Sequence, residues 1–367
     1  MTACDVAVVG AGVFGAWTAW RLRRAGASVR LIDAWGPGHS RSSSGGESRI
    51  IRMGYGADEI YTRMSVRSLA MWRELFQRTG QPLFHRTGVL FMAREDHPYS
   101  IATRETLRRC GVPIEIFSSD DLARRYRQMR IADPRVFGIF EPESGALMAR
   151  RAVALVVQDA IASGVVYETR AVASPRDIEA GAVVFACGPW LPKLFPEVLG
   201  KRIFPTRQEV YFFAGGREFA PESFPAWIDF TDPRGPYGLP DLESRGCKLA
   251  FDQHGSEFDP DSGDRRIGSE GLAEAYRFLG ERFPALANAP LTESRVCQYE
   301  STANGDFLID RHPGYENVWL AGGGSGHGFK HGPAVGEYLA ARILKGTEPE
   351  PRFSLASKDQ AEHRTVY

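Results

Sequence analysis

The chain offers little from which a covalent or metal-bound frame could be made. Its five cysteines (Cys4, Cys110, Cys187, Cys247 and Cys297) are scattered, odd in number and never spaced as CxxC. That pattern speaks against a disulfide scaffold and a structural zinc site, and it suits a reducing cytoplasm. An excess of one charge is also missing, since 45 lysines and arginines face 45 aspartates and glutamates. No global field therefore draws the chain to nucleic acid or to an acidic membrane; local groups must carry any recognition of a charged ligand. No apolar run reaches the length of a membrane span. The N-terminus lacks a basic region followed by an apolar one, as Asp5 comes early, and the closing Arg364-Thr365-Val366-Tyr367 does not read as a targeting tripeptide. There is no internal repeat and no sign of a sizeable disordered tail.

What is present is ordinary for a globular protein. Hydrophobic residues make up 43% of 367, a length that exceeds one simple core and suits two interleaved domains. Val6-Ala7-Val8-Val9 is a continuous apolar run, as in a strand buried on both faces. Helical spacing follows over residues 13–25, with Gly26 as its stop, and residues 28–32 form a second strand ending at Asp33. The glycine- and serine-rich stretch 36–46 is too polar for core and leads directly to Arg49 and Arg52. A long helix is expected over 59–78 and a strand over 88–92, then alternating helices and loops to about Met148. Beyond it come a helix over 149–163, strands near 165–169 and 183–186, and a turn at Cys187-Gly188-Pro189-Trp190. An aromatic- and proline-rich section spans 204–251, with a strand at 209–213. A buried strand at 318–322, a glycine turn at 323–328 and a helix over 333–344 close the pattern.

The motif Gly10-x-Gly12-x-x-Gly15 lies between the first strand and the first helix, with Val13 and Phe14 opening that helix. The three glycines serve different ends. Gly10 permits the tight turn, Gly12 lets backbone approach a pyrophosphate, and Gly15 lets the helix pack closely. The helix N-terminus offers N–H groups and a positive dipole end to the anion, and Asp33 can accept from ribose hydroxyls. The other reading is a glycine-rich turn in an unrelated α/β protein. Between NAD and FAD, the chain's departure into a polar loop and the second glycine-rich strand end near its C-terminus favour FAD.

With these residues in view the chain resembles the monomeric sarcosine oxidase family, whose relatives include N-methyltryptophan oxidase and pipecolate oxidase. The matching blocks are residues 5–15, Arg49-Ile50-Ile51-Arg52, residues 140–145, Gly246-Cys247-Lys248-Leu249, Val296-Cys297-Gln298-Tyr299, residues 306–310 and residues 325–330. The resemblance implies an α/β fold, with a FAD-binding Rossmann-like domain of the glutathione-reductase type. The second, substrate domain would be built on a mostly antiparallel sheet. The boundaries expected are 1–85, 145–203 and 298–367 for the first, and 86–144 and 204–297 for the second.

The resemblance also implies roles. Cys297 matches the cysteine that carries flavin as a thioether; by itself it reads as a buried core thiol. Arg52 and Lys330 match the cations that hold a substrate carboxylate, a fork and a point charge, where the plain alternative is two surface cations. Lys248 matches the lysine that activates oxygen, against an exposed strand lysine. Arg49 is implied to lie against the flavin ring, and Tyr237, Tyr299 and His327 around flavin and substrate. Taken alone, a histidine in a glycine turn is more often structural. Ser48, Gly326, Gly328 and Lys330 join the expected cofactor contacts. The implied reaction is oxidation of the C–N bond of a secondary or N-methylated amino acid by a monomer, with O2 reduced to hydrogen peroxide.

Three departures from the family pattern stand out. Asp252 replaces a histidine four residues after Lys248, Ser44 and Gly45 replace a histidine pair before Arg49, and Glu300-Ser301 follows Tyr299 where threonine is more usual. Asp252 suits a substrate with additional positive charge, so sarcosine is one candidate among larger or cyclic amino acids. A flavin dehydrogenase, a tailoring oxidase and a non-enzymatic nucleotide-binding protein remain as other readings.

Overall fold

Parallel strands need crossovers, and the opening β-α-β unit supplies the first. The computed structural model describes residues 4–359, so the closing tetrapeptide and the expected lack of a tail lie outside the described residues. Strand β1 (Cys4–Val9), helix α1 (Val13–Arg24) and strand β2 (Val29–Asp33) follow the apolar pattern. β1 runs parallel between β2 and Ala180–Phe185, so Val6 to Val9 are covered on both faces and need no polar alternation. The six-stranded sheet has the order Leu308–Arg311, Val318–Gly322, Ala180–Phe185, β1, β2, Val166–Thr169. Its edge strand Leu308–Arg311 is antiparallel to its neighbour; the other pairings are parallel. Helix Gly332–Lys345 crosses α1 so closely that a Cβ on Gly336 would come within 2.6 Å of the Trp17 backbone.

A second sheet is mostly antiparallel. Its eight strands run in the order Leu291–Ser301, Phe204–Phe213, Cys247–Phe251, Pro236–Leu239, Ala226–Asp229, Val89–Arg94, Val136–Glu141, Glu115–Phe117. All pairs are antiparallel except Ala226–Asp229 with Val89–Arg94. Register decides which side chains meet. Gln208 lies opposite Cys297, Phe212 opposite Lys248, and Val210 and Tyr237 opposite Ala250. Alternation then puts Arg295, Cys297, Tyr299, Lys248 and Tyr237 on one face. Their neighbours Tyr211, Phe213, Leu249 and Trp227 point the other way, into a core closed by helix Ser269–Arg282.

The region expected as helices and loops up to Met148 also holds strands Glu115–Phe117, Val136–Glu141 and Gly145–Leu147. Gly138 interrupts the apolar run and disguised the second of these. It suits the packing, since a Cβ there would lie 2.9 Å from the side chains of both Leu122 and Leu90, which would have to shift. Among the described residues no helix is long and apolar enough to cross a membrane.

Candidate functional site

Two cavities meet between the sheets. The first, of about 290 Å³, runs from Gly10, Gly12, Val13, Phe14 and Asp33 to Cys297 and Tyr299, passing Gly326 and Gly328. The second, of about 90 Å³, is lined by Arg52, Tyr237, Lys248, Asp252, His327 and Lys330. Arg49, Cys297, Tyr299, Gly326 and Phe329 border both.

The glycines of the first cavity differ in purpose. Gly10 has φ +101, and a Cβ there would meet the Ala186 carbonyl oxygen at 2.4 Å. Gly15 would place its Cβ 1.8 Å from the Gly10 oxygen, so it serves the packing of α1 on the turn and does not line the cavity. At Gly12 a Cβ would meet nothing closer than Ser44 Oγ at 3.5 Å. Packing therefore leaves Gly12 free, and its open side is the cavity. Asp33 Oδ2 accepts the Ala11 N–H at 2.7 Å, and Oδ1 accepts those of Trp35 at 2.8 Å and Gly36 at 2.7 Å. The acid thereby fixes the turn while lining the cavity. A helix N-terminus, a glycine that packing leaves open, and an acid at the second strand end together fit a dinucleotide.

At the far end Arg49 Nη2 donates to Cys297 Sγ at 3.4 Å, and its guanidinium is anchored on the carbonyls of Ser43 and Ser48, each at 2.8 Å. Burial pushes the Cys297 thiol up, but Arg49 and Arg295, then the Gln298 N–H and Lys248, bring it below its ordinary value. Arg295 explains one departure from the family pattern. At Gly45 a side chain is barred by the His39 carbonyl oxygen at 1.9 Å from a would-be Cβ, and Arg295 Nη2 lies 3.0 Å from the same point. A cation from the sheet thus stands beside Gly45, where this chain carries no side chain. Lys248 Nζ donates to the Ser48 carbonyl at 2.9 Å and lies 5.9 Å from the Tyr237 ring centre. Burial, then Arg49 and Arg295, push its ammonium well below the usual range. Of these three cations lysine is the one that can give up its proton.

The second cavity concentrates charge. Arg52 and Lys330 are both buried. Arg52 donates to the Gly54 carbonyl and sits 4.4 Å from the Tyr55 ring centre. Burial opposes its charge, yet Tyr99, Tyr55, Glu141 and Asp252 raise it above its ordinary value. Glu141 fixes the following backbone by accepting the N–H groups of Met53 and Gly54, each at 2.8 Å. Lys330 Nζ donates to Tyr55 Oη at 2.7 Å and to the His327 carbonyl at 3.2 Å. Burial and then Arg52 push its ammonium well down. Asp252 is half-buried and lines this cavity. Burial raises its carboxyl, against the Tyr299 hydroxyl, which donates to it at 2.9 Å, and against Arg52, His254 and Lys330.

The structure brings together Arg49, Arg52, Tyr237, Lys248, Cys297, Tyr299, His327 and Lys330 around one cavity. It does not put Ser48 or Gly15 in either cavity wall. Ser48 instead offers its carbonyl to Lys248 and Arg49. His327 lines the second cavity, but its Nδ1 lies 3.3 Å from Tyr55 Oη and its Nε2 3.1 Å from the Gly305 carbonyl. Tyr55 and Arg295 had no assigned role. Arg295 had a usable signal, the alternation 295, 297, 299 along one strand; Tyr55 had none.

Comparison with known proteins identifies the family and the fold. The model of the FAD dependent oxidoreductase family (DAO) matches residues 5–342. The monomeric sarcosine oxidase of Bacillus sp. (strain B-0618) is 32% identical over 366 residues, covering 93% of this chain and 92% of that protein. The N-methyl-L-tryptophan oxidase of Salmonella newport (strain SL254) is 29% identical, covering 94% and 95%. Among solved structures, the L-proline dehydrogenase of P. horikoshii superposes with a TM-score of 0.85 over 99% of both chains at 22% identity, which speaks to the fold alone.

Proposed function

The chain belongs to the FAD dependent oxidoreductase family, and on that premise we propose that it is an oxidase of a secondary or N-methylated amino acid, with O2 as acceptor. The observation that carries the reading is the second cavity. Two buried cations, Arg52 and Lys330, border one small space that adjoins the Cys297 end of the cofactor cavity. FAD, when bound, takes up two electrons and a hydrogen from the carbon beside the amine nitrogen. The protein's own residues bind, orient and adjust charge. The Arg52 guanidinium grips the substrate carboxylate as a fork, and Lys330 adds a point charge. Asp252, held by Tyr299, faces the same space and accepts an N–H from the amine. The amine must be neutral to react, so turnover rises with pH. Lys248 lies in the wall of the second cavity, where its ammonium stabilises negative charge that develops on oxygen. The oxidised product, an imine, hydrolyses in water.

In the same proposal Gly10, Gly12, Val13, Phe14, Asp33, Arg49, Gly326 and Gly328 hold the dinucleotide, and Cys297 joins the flavin as a thioether. The lowered thiol of Cys297 supports the latter, because the thiolate is the nucleophile. The domain division at 1–85, 145–203 and 298–367 against 86–144 and 204–297 belongs here too. It is supported by the six-stranded sheet drawing its strands from the first set and by the eight-stranded sheet drawing on the second, with Leu291–Ser301 crossing the boundary. A monomer working in the cytoplasm completes the proposal, on the relative named monomeric and on five unpaired cysteines.

The test is to mix the yellow protein without air with sarcosine, N-methyl-L-tryptophan, L-pipecolate and L-proline, then admit air and measure peroxide. Bleaching followed by peroxide is expected with at least one of them. No bleaching by any N-alkyl or cyclic amino acid would sink the proposal, and bleaching without peroxide would move the protein to the dehydrogenases.

A further inference from the structure

Glu300 follows Tyr299 on the strand that carries Cys297, and the reaction above does not use it. Its side chain lines the cofactor cavity with Gly188, Pro189 and Gly324. Oε1 receives the Gly324 N–H at a long 3.4 Å. Oε2 is shut away from solvent with no hydrogen-bond partner among the described residues. Glycines make the room: a Cβ on Gly324 would lie 3.1 Å from Oε1, and one on Gly188 would lie 3.4 Å from Oε2. Burial pushes the carboxyl up to about 8, with the Gly324 N–H alone working the other way. No cation faces it. Cys187, on the loop beyond Ala180–Phe185, is the titratable neighbour that registers its charge, and Asp33 acts on that same thiol. A carboxyl pushed up this far favours its protonated form near neutral pH, and with Oε2 unpartnered among the described residues the arrangement is costly without a ligand.

Its place points to one stretch of the cofactor. Glu300 lies three residues from Cys297 at the ring end. Gly324, against it, packs on Gly328, which packs on Phe14 in the first turn of α1, and Gly188 follows closely on Ala186, whose carbonyl faces Gly10. We propose that Glu300 is a cofactor-binding residue that donates a hydrogen bond to an oxygen of the ribityl–diphosphate stretch of FAD. A carboxylate there would meet phosphate of like charge, and the burial that keeps the acid neutral removes that repulsion. The inference rests on FAD being the dinucleotide, and on neither the amine substrate nor the thioether.

The test uses full-length protein in a Cys297→Ser background, so that flavin is exchangeable whether or not a thioether forms. FAD released on dilution is followed by its fluorescence across a pH series. Above about pH 8 the dissociation constant should climb about tenfold per pH unit. Glu300→Gln keeps a donor and cannot ionise, so its curve should stay flat across that window. Glu300→Leu should bind FAD more weakly at every pH, without the rise. The same slope in the parent and in Glu300→Gln would overturn the role. So would parent-like affinity in Glu300→Leu; should that variant fail to fold, the comparison with Glu300→Gln decides. A parent that holds no FAD at any pH would refute the cofactor assignment itself.

Discussion

Lys330→Met isolates one hydrogen bond. The ammonium has three N–H donors, and the fold uses two of them, on Tyr55 Oη at 2.7 Å and the His327 carbonyl at 3.2 Å. One donor is left for a ligand. A charge-assisted bond of that kind is worth roughly 1.5–3 kcal/mol, or about 10- to 150-fold in a dissociation constant. Methionine fills the same volume and removes a buried charge, so the fold should tolerate it. The assay is the change in flavin absorption when a carboxylic acid with a thioether in place of the amine is titrated in. Lys330→Met should weaken binding by that factor. Arg52→Met should weaken it further, because a guanidinium keeps more donors free after serving Gly54. The pH dependence gives a second signature. Burial and Arg52 depress the Lys330 ammonium, so its charge is present below the lowered value and lost as pH rises through it. Binding of this amine-free acid should fall over that range in the wild type and not in Lys330→Met. A variant with wild-type affinity and the same pH dependence would show that Lys330 does not hold the carboxylate.

Lys248→Met should slow reoxidation by O2 roughly 10²–10³-fold while leaving reduction by substrate nearly intact; stopped-flow reoxidation at the wild-type rate would remove its role. Acid-precipitated wild type should carry its flavin into the pellet, and Cys297→Ala should leave it in the supernatant. Flavin in the wild-type supernatant would refute the thioether. Gly15→Ala would set a Cβ 1.8 Å from the Gly10 carbonyl oxygen and push α1 off the turn, a loss of roughly 1–3 kcal/mol of stability together with retained flavin. A yellow Gly15→Ala protein with the wild-type melting temperature would contradict that.

The sequence was most legible where one element alone fixes what a residue does. Gly10, Gly12, Gly15 and Asp33 could be read because strand, turn, helix and second strand are contiguous. Lys248 and Cys297 needed more. What joins them is the register of Phe204–Phe213, which pairs with Cys247–Phe251 on one side and Leu291–Ser301 on the other, and register is a long-range property that local pattern does not print. The strand Val136–Glu141 was hidden by Gly138, which suits the contact with Leu122 and Leu90. Tyr55 was invisible for the same cause: its partners Lys330 and His331 lie far along the chain. Ser48 shows the converse, a motif residue whose backbone, not its side chain, serves the site.

The strand Leu291–Ser301 has a further consequence when the chain is considered in the order it is synthesised. The turn at Gly10 emerges about 285 residues before Arg295, and Cys297, Tyr299 and Glu300 follow after that. The strand Val318–Gly322, which completes the parallel sheet beside Ala180–Phe185, comes later still. A nascent chain therefore carries the glycine turn through the intervening synthesis without this wall of the cavity. Closure of the cavity waits on the later segment, and a chain stopping before residue 291 would carry the glycine turn without the wall that Cys297, Tyr299 and Glu300 supply.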